Sequence, residues 1–235
     1  MVESKTADTS YPSKEAVQRY QRNLRQWFSR HGRTFIWRST TEPYVILLSE
    51  VLLQRTQATQ VGDNFESILQ KFPSLNTLAG SPVHIISHTL RPLGLTKRAT
   101  SLSALAKELV NRFDGEVPKD PDVLVRLPGV GRYIASATAC FAYGKRAAIV
   151  DTNVIRIFAR YFNFKSEKRR PQDDQQIWAL AQYLLPRKNA ADYNRALIDL
   201  AALICKDRKP LCHDCPLEQG CWSAANNNAI CGRSI

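Results

Sequence analysis

The chain has 235 residues, a length that suits one large domain or two smaller ones. Hydrophobic residues make up 44% of it, which is enough for a sizeable core and excludes a disordered protein. It carries 33 Lys and Arg against 21 Asp and Glu, and the resulting net charge of +12 favours a polyanionic partner, nucleic acid before membrane.

Apolar residues recur every three to four positions along most of the chain, which predicts an all-α protein. The predicted helices cover residues 14–30, 43–53, 62–71, 82–90, 97–112, 120–126, 132–143, 152–162, 173–185 and 190–204. Pro43 suits the first turn of the second helix, and Gly or Pro marks most junctions. No run reaches the roughly 18 apolar residues of a membrane span, and residues 1–10 are too polar for a secretory signal.

Two glycines, Gly129 and Gly131, lie in a turn between two of these helices. Glycine permits a positive φ, and glycines two positions apart let backbone N–H groups approach a phosphate oxygen. The next helix N-terminus adds a partial positive charge. The turn predicts a hairpin whose amides at Gly129, Val130 and Gly131 bind a DNA backbone without reading sequence. The alternative is an ordinary corner between helices.

Two carboxylates are candidates for catalysis. Asp151 follows an apolar run and precedes a helix, a position typical of a simple N-cap. A carboxylate there is also suited to stabilising an oxocarbenium-like transition state on a sugar. Glu50 lies within a nearly continuous apolar helix, where burial would favour the protonated form that a general acid needs. The alternatives for Glu50 are a solvent-exposed face or a pair with Arg38 or Arg55.

Four of the six cysteines crowd into one short segment, residues 205–221. They are Cys205, Cys212, Cys215 and Cys221, in the spacing C-x6-C-x2-C-x5-C. One local cluster in a long chain indicates a metal in a reducing cell rather than a disulfide scaffold. A single C-x2-C pair with longer arms favours a [4Fe–4S] cluster over zinc. We therefore expect an intracellular protein, in the cytoplasm or nucleoid of a prokaryote.

Three basic residues, Lys206, Arg208 and Lys209, lie in the first arm of this cysteine pattern. A loop whose shape is fixed by the metal would present them to phosphates. The alternative is a solvated run of charge.

Four segments together resemble the helix–hairpin–helix DNA glycosylases of the endonuclease III superfamily. They are residues 49–56 (SEVLLQRT), 127–133 (LPGVGRY), 150–153 (VDTN) and the four cysteines, and they occur in the family's order over residues 27–222. The resemblance implies two all-α lobes with the active cleft between them. A six-helix barrel lobe with the hairpin would cover residues 37–145. Residues 1–36 and 146–235 would form a discontinuous helical lobe holding one [4Fe–4S] cluster.

The resemblance also implies the substrate and the site. Family members flip a base out of double-stranded DNA, so the expected partner is a duplex containing a mismatch, bound by a monomer. Asp151 would be the essential carboxylate at the sugar, and Glu50 the second carboxylate near the base. Gln54 or Arg55 would fill the gap left by the flipped nucleotide. Arg132 joins the hairpin residues as a DNA-binding candidate, and a monovalent cation is a further candidate at the hairpin.

Tyr133 indicates the type of reaction. Family members with lyase activity have a lysine at this position, and its amine forms a Schiff base with the sugar. A phenol cannot form an imine. We therefore predict a monofunctional glycosylase, in which water replaces the base and the strand stays intact.

The base that is removed remains open between two subfamilies. The Arg55-Thr56 pair, the Gly94-Leu95 loop and residues 44–47 are more similar to mismatch thymine/uracil glycosylases acting opposite guanine. Adenine glycosylases for A·G or A·8-oxoguanine are the alternative. They usually read Asp-Gly-Asn at residues 151–153 and add a C-terminal domain, which is not expected here. A non-enzymatic module that binds DNA by its shape is the remaining alternative.

Overall fold

A computed structural model describes residues 11–226. The predictions for residues 1–10, and for residues 227–235 at the end of the second lobe, lie outside the described residues. Within the described part the chain is helical and contains no strand, which confirms the all-α prediction. The α-helices are α1 (Lys14–His31), α2 (Pro43–Leu52), α3 (Ala58–Lys71), α4 (Leu75–Gly80), α5 (Val83–Thr89), α6 (Ala99–Phe113), α7 (Pro121–Leu124), α8 (Arg132–Tyr143), α9 (Thr152–Phe162), α10 (Gln175–Leu184), α11 (Ala190–Leu203) and α12 (Trp222–Ala225). No helix among residues 11–226 is both long and apolar enough to cross a membrane.

The chain divides into two compact units. Residues Thr34–Ala147 form one, called here the central unit, and Met1–Arg33 with Ala148–Ile235 form the other, called the terminal unit. The division falls after residue 33 and after residue 147. Helices α2 to α8 therefore belong to the central unit, and α1 with α9 to α12 belong to the terminal unit.

The core of the central unit is built on α2, whose sequence is apolar on every side. Pro43 occupies its first turn, as predicted, and Ile46, Leu47, Leu48 and Leu52 are almost completely buried. Because α2 is surrounded by protein, it packs against both α3 and α8. This packing fixes the loop after α2 and the start of α8, which carry predicted site residues.

The helix α4 is a short element that the pattern of apolar residues does not predict. Its six residues are too few to show a helical period, and they end at Gly80, a residue type that marks a junction. The signals that indicate it are Ser74, whose hydroxyl accepts a hydrogen bond from the Thr77 N–H at 3.2 Å, and the buried pair Leu75 and Leu78. Packing against α6 stabilises α4.

The terminal unit centres on α9 and α11, with α1 packed on α11. A group of aromatic rings fills its interior. Tyr20 of α1 is fully buried, and its ring lies 4.8 Å from that of Tyr161 and 5.3 Å from that of Phe162, measured between centroids. These rings hold α1 against the C-terminal end of α9, next to the segment that carries the four cysteines.

Candidate functional site

Glu50 is the most deeply buried predicted site residue of the central unit. Its side chain is 4% exposed within α2, between the buried Ser49 and Val51. The solvent-exposed interpretation of this residue is therefore wrong. Burying a carboxyl group is unfavourable, and such groups concentrate at functional sites.

The loop after α2 carries Gln54 and Arg55 close to the glycine hairpin. The side-chain amide of Gln54 donates to the carbonyl oxygen of Gly129 at 3.4 Å. Arg55 is exposed and has a φ of +57°, a left-handed conformation that a long side chain rarely adopts. Burial, followed by the nearby charge of Arg55, lowers the pKa of Arg98. The structure thus brings Gln54 to the hairpin and presents Arg55 at a strained, positively charged loop tip.

Of the two hairpin glycines, Gly129 has the predicted positive φ and Gly131 does not. Gly129 has a φ of +74°, and a Cβ there would lie 3.5 Å from that of Ser101. Gly131 is the N-cap of α8 with an extended backbone, and no side chain caps this helix. Open space surrounds the position of its missing Cβ, so the backbone is accessible to a ligand.

One of the predicted phosphate-binding amides is already engaged. The N–H of Val130 donates to the Leu127 carbonyl oxygen at 3.1 Å, and its side chain is buried. The turn itself therefore uses this amide, which corrects the prediction for Val130. Gly129 and Gly131 are exposed, whereas Val130 supports the turn from inside.

Arg132 and Tyr133 form the first turn of α8. Arg132 is exposed, and partial burial of its guanidinium lowers its pKa. Tyr133 is half-buried and packs against the apolar core of the central unit. Its ring is thus placed by the same turn that exposes the hairpin glycines.

In the terminal unit Asp151 is the N-cap of α9. Its Oδ1 accepts a hydrogen bond from the Val154 N–H at 2.8 Å, and its Oδ2 accepts one from the Asn153 side chain at 2.8 Å. Burial raises the pKa of Asp151 above its usual value, although these hydrogen bonds and the Arg156 charge oppose the shift. The capping interpretation is therefore correct, and it leaves a carboxylate of fixed orientation for chemistry.

Two arginines of α9 link its N-terminus to the cysteine segment, and the sequence patterns predict neither of them. Arg156 donates to Oδ1 of Asn153 at 3.0 Å, to the Cys205 carbonyl at 3.0 Å and to the Ala201 carbonyl at 3.1 Å. Its position five residues after Asp151, one turn beyond Asn153, is the only sequence signal. Arg156 therefore connects the carboxylate's hydrogen-bond partner to the first cysteine.

Arg160, one turn further along α9, shapes the basic loop. It is 4% exposed and donates to the carbonyl oxygens of Lys206 at 2.5 Å and Asp207 at 2.8 Å. Lys206, Arg208 and Lys209 are themselves exposed, and Lys209 has a φ of +52°. The loop backbone is thus held from inside while its three cationic side chains point to solvent.

The four predicted metal-ligating cysteines line one small cavity. Burial, with the negative charge of the other three thiolates, raises the pKa of Cys215 to about 12. In the absence of a bound cation, this shift favours the neutral thiol of Cys215. Across residues 11–226, however, no three His, Cys, Asp or Glu side chains converge tightly enough to hold one metal ion. Cysteine sulfurs are ligands both for zinc and for iron–sulfur clusters, so the chemistry of the four side chains fits either group.

Two further observations support that fit. The Arg160 Nε and Ser223 Oγ atoms are buried at the same cavity, and neither has a hydrogen-bond partner among the described residues. Gly220, just before Cys221, lies directly against Tyr161, so that a Cβ there would overlap the tyrosine hydroxyl. The spacer between the last two cysteines is therefore closely packed against α9.

Comparisons with known proteins agree with this fold. Residues 48–182 match the family model described as "HhH-GPD superfamily base excision DNA repair protein". The thymine/uracil-DNA glycosylase of Pyrobaculum aerophilum is 39% identical over 82% of this chain and 85% of its own length. The human adenine DNA glycosylase is 32% identical over 87% of this chain and 39% of its own. A solved thermostable thymine-DNA glycosylase superposes with a TM-score of 0.85 at 33% identity, over 90% of this chain and 98% of its own.

The chain belongs to the HhH-GPD superfamily of base excision DNA repair proteins. It is accordingly a DNA glycosylase, an enzyme that hydrolyses N-glycosidic bonds.

Proposed function

We propose that this enzyme removes thymine or uracil mispaired with guanine in double-stranded DNA. The observation that carries the proposal is the similarity at 37–39% identity to three proteins named as thymine or thymine/uracil glycosylases. A mispaired base is easier to unstack than a paired one, which gives the enzyme its first selection. The protein acts as a monomer in the reducing interior of a prokaryotic cell, where cysteine thiolates survive.

Asp151 is the residue proposed to stabilise the transition state. Cleavage of the glycosidic bond develops positive charge on the deoxyribose, and an ionised carboxylate stabilises that charge by Coulomb attraction. Val154 and Asn153 hold both oxygens in place. The side chain therefore needs no reorientation during the reaction.

Glu50 is proposed to act on the base. From its buried position in α2, Glu50 would offset the negative charge on the departing pyrimidine, either as a proton donor or through a water that it orients. Replacing Glu50 by Gln tests this role, because the amide cannot release a proton. Glu42→Gln, an exposed residue at the start of the same helix, is the matched control.

The presence of a tyrosine at residue 133, in place of a lysine, supports a hydrolytic reaction. A phenol cannot form the imine that leads to strand cleavage, so water completes the displacement and the abasic strand remains whole. The Tyr133 ring packs partly into the core, and we propose that it also forms a wall of the base pocket.

DNA binding is assigned to backbone amides and cations. The amides of Gly129 and Gly131, with Arg132, bind phosphates on one segment, and Lys206, Arg208 and Lys209 bind them on another. Gln54 and Arg55 fill the space that the flipped nucleotide leaves. A monovalent cation at the hairpin remains a prediction, next to a Gly129 carbonyl that already accepts from Gln54.

We propose one [4Fe–4S] cluster held by Cys205, Cys212, Cys215 and Cys221. The positively charged core of such a cluster would offset part of the negative charge of the four thiolates and would tie together the ends of the basic loop. Iron analysis and broad visible absorbance of the purified protein test this proposal. A colourless protein with stoichiometric zinc would contradict it.

A panel of T·G, U·G, A·G and A·8-oxoguanine duplexes, each analysed with and without alkali, tests the function. We expect strand breaks at T·G and U·G only after alkali. Adenine excision is the second candidate, favoured by relatives at 32% identity, and breaks confined to the adenine duplexes would establish it instead. Binding of every duplex without release of any base would identify a non-enzymatic DNA-binding module.

A further inference from the structure

Two buried hydrogen-bond donors face the cavity lined by the four cysteines. Ser223 is 4% exposed in α12, and its hydroxyl has no partner among residues 11–226. The Nε of Arg160, also 4% exposed, is equally without a partner there. Both residues line the same cavity as the four cysteines.

Unsatisfied buried donors are unfavourable, at about 1–3 kcal/mol each, and native proteins contain few of them. Two such donors at one small cavity indicate that the occupant of the cavity accepts hydrogen bonds. The position of the Arg160 guanidinium supports this inference, because its Nη1 lies 3.5 Å from the sulfur of Cys205.

We propose that the Ser223 hydroxyl and the Arg160 Nε–H donate hydrogen bonds to sulfur atoms of the bound iron–sulfur group. The proposal rests on the cluster assigned under the proposed function. In this arrangement Ser223 and Arg160 are positioning residues, since neither touches DNA nor the reacting atoms. They act on the electronic state and the retention of the group held by the cysteines.

The physical consequence is a change in reduction potential. Donors to the sulfur atoms stabilise the more negatively charged, reduced state, and so raise the potential. Each donor therefore makes the reduced cluster easier to form. A loss of the Ser223 hydroxyl should shift the potential downwards without changing the four ligands.

The experiment compares wild type, Ser223→Ala and Ser223→Thr as full-length, cluster-loaded proteins. Protein-film voltammetry without DNA measures the reduction potential. Electron–nuclear double resonance of the reduced cluster, before and after transfer to D2O, detects exchangeable protons bound near sulfur. Ser103→Ala is the matched control, because Ser103 is also a buried serine with an unpartnered hydroxyl but lies in the central unit.

We expect Ser223→Ala to have a lower potential and to lose one exchangeable-proton signal. The expected size is on the order of tenfold in the oxidised-to-reduced ratio, about 59 mV for a one-electron couple. Ser223→Thr, which keeps a hydroxyl, should resemble wild type, and Ser103→Ala should not differ from it. Arg160→Lys keeps the charge but removes Nε, so it should lose a second signal.

An unchanged potential in Ser223→Ala, or equal shifts in the Ala and Thr variants, would overturn the proposal in favour of simple packing. In that case the same protein samples should still release the base, so the proposed function would stand. A wild-type protein without iron would overturn both the inference and the cofactor assignment, whereas the duplex panel tests the reaction separately.

Discussion

Asn153 donates a hydrogen bond from its side-chain amide to Oδ2 of Asp151 across 2.8 Å. With the Val154 N–H bound to Oδ1, both carboxylate oxygens are held by the first turn of α9. The Asp151 carboxylate therefore caps α9 and, when ionised, holds a negative charge in a fixed orientation. A substitution that keeps the cap but removes the charge separates these two roles.

Asp151→Asn should reduce base release by several orders of magnitude while leaving duplex affinity largely unchanged. Asn caps a helix about as well as Asp, so the fold is retained and only the charge is lost. Single-turnover base release and a duplex-binding titration measure the two effects. Asp120→Asn, at the N-cap of α7, is the control and should behave as wild type. Equal losses of rate and affinity would instead identify Asp151 as purely structural.

The same substitution should affect stability in a pH-dependent way. Because the pKa of Asp151 is raised in the folded state, its ionisation disfavours folding above that pKa, and this penalty is absent below the ordinary value of 3.8. Asp151→Asn should thus be at least as stable as wild type at neutral pH, and the difference should vanish at low pH. Thermal unfolding across this range measures it. A clear loss of stability at neutral pH would contradict the raised pKa.

The pH profile of catalysis should follow the Asp151 carboxyl. Since the ionised form is needed, base release should fall as the pH drops through a midpoint above 3.8. Asn153→Ala removes a hydrogen bond that lowers this pKa, so its midpoint should move to higher pH. Asn64→Ala, which loses only a bond to the Gln60 carbonyl of α3, should keep the wild-type profile. A midpoint that does not respond to Asn153 would assign the titration to another group.

Tyr133→Lys should introduce strand cleavage into an enzyme that otherwise only releases the base. An amine at the start of α8 can attack the sugar and form an imine, which borohydride traps as a covalent protein–DNA adduct. Val125→Lys adds an amine at a 40%-exposed position near the hairpin and should yield no adduct. Cleavage without alkali by the wild-type protein would refute the monofunctional assignment.

Substituting Gln for Lys206, Arg208 and Lys209 together should weaken binding to all duplexes alike. Each lost phosphate contact reduces the slope of log affinity against log salt by about 0.9. Binding isotherms at several salt concentrations measure this slope. Lys107→Gln, an exposed cation of α6, is the control. An unchanged slope would mean that the loop is a solvated run of charge.

Local patterns were sufficient to predict the long helices, but not the short helix α4, the closure of the hairpin turn or the contacts distant in sequence. The uniform hydrophobicity of α2 predicted its burial and that of Glu50, and Gly129 predicted a positive φ. The engagement of the Val130 amide depends on how the turn closes. Arg156 and Arg160 acquire their roles from carbonyl groups 45 to 49 residues away, which no periodicity reveals.

The contact between Gly220 and Tyr161 places a limit on the cysteine pattern itself. Any side chain at residue 220 would have to displace Tyr161, whose ring packs at a tilt against the fully buried Tyr20, and so disturb the aromatic interior of the unit. The five-residue spacer before Cys221 is therefore constrained by hydrocarbon packing as well as by whatever the thiols bind. Residue 220 is therefore restricted to glycine, although it is neither a proposed metal ligand nor a proposed DNA contact.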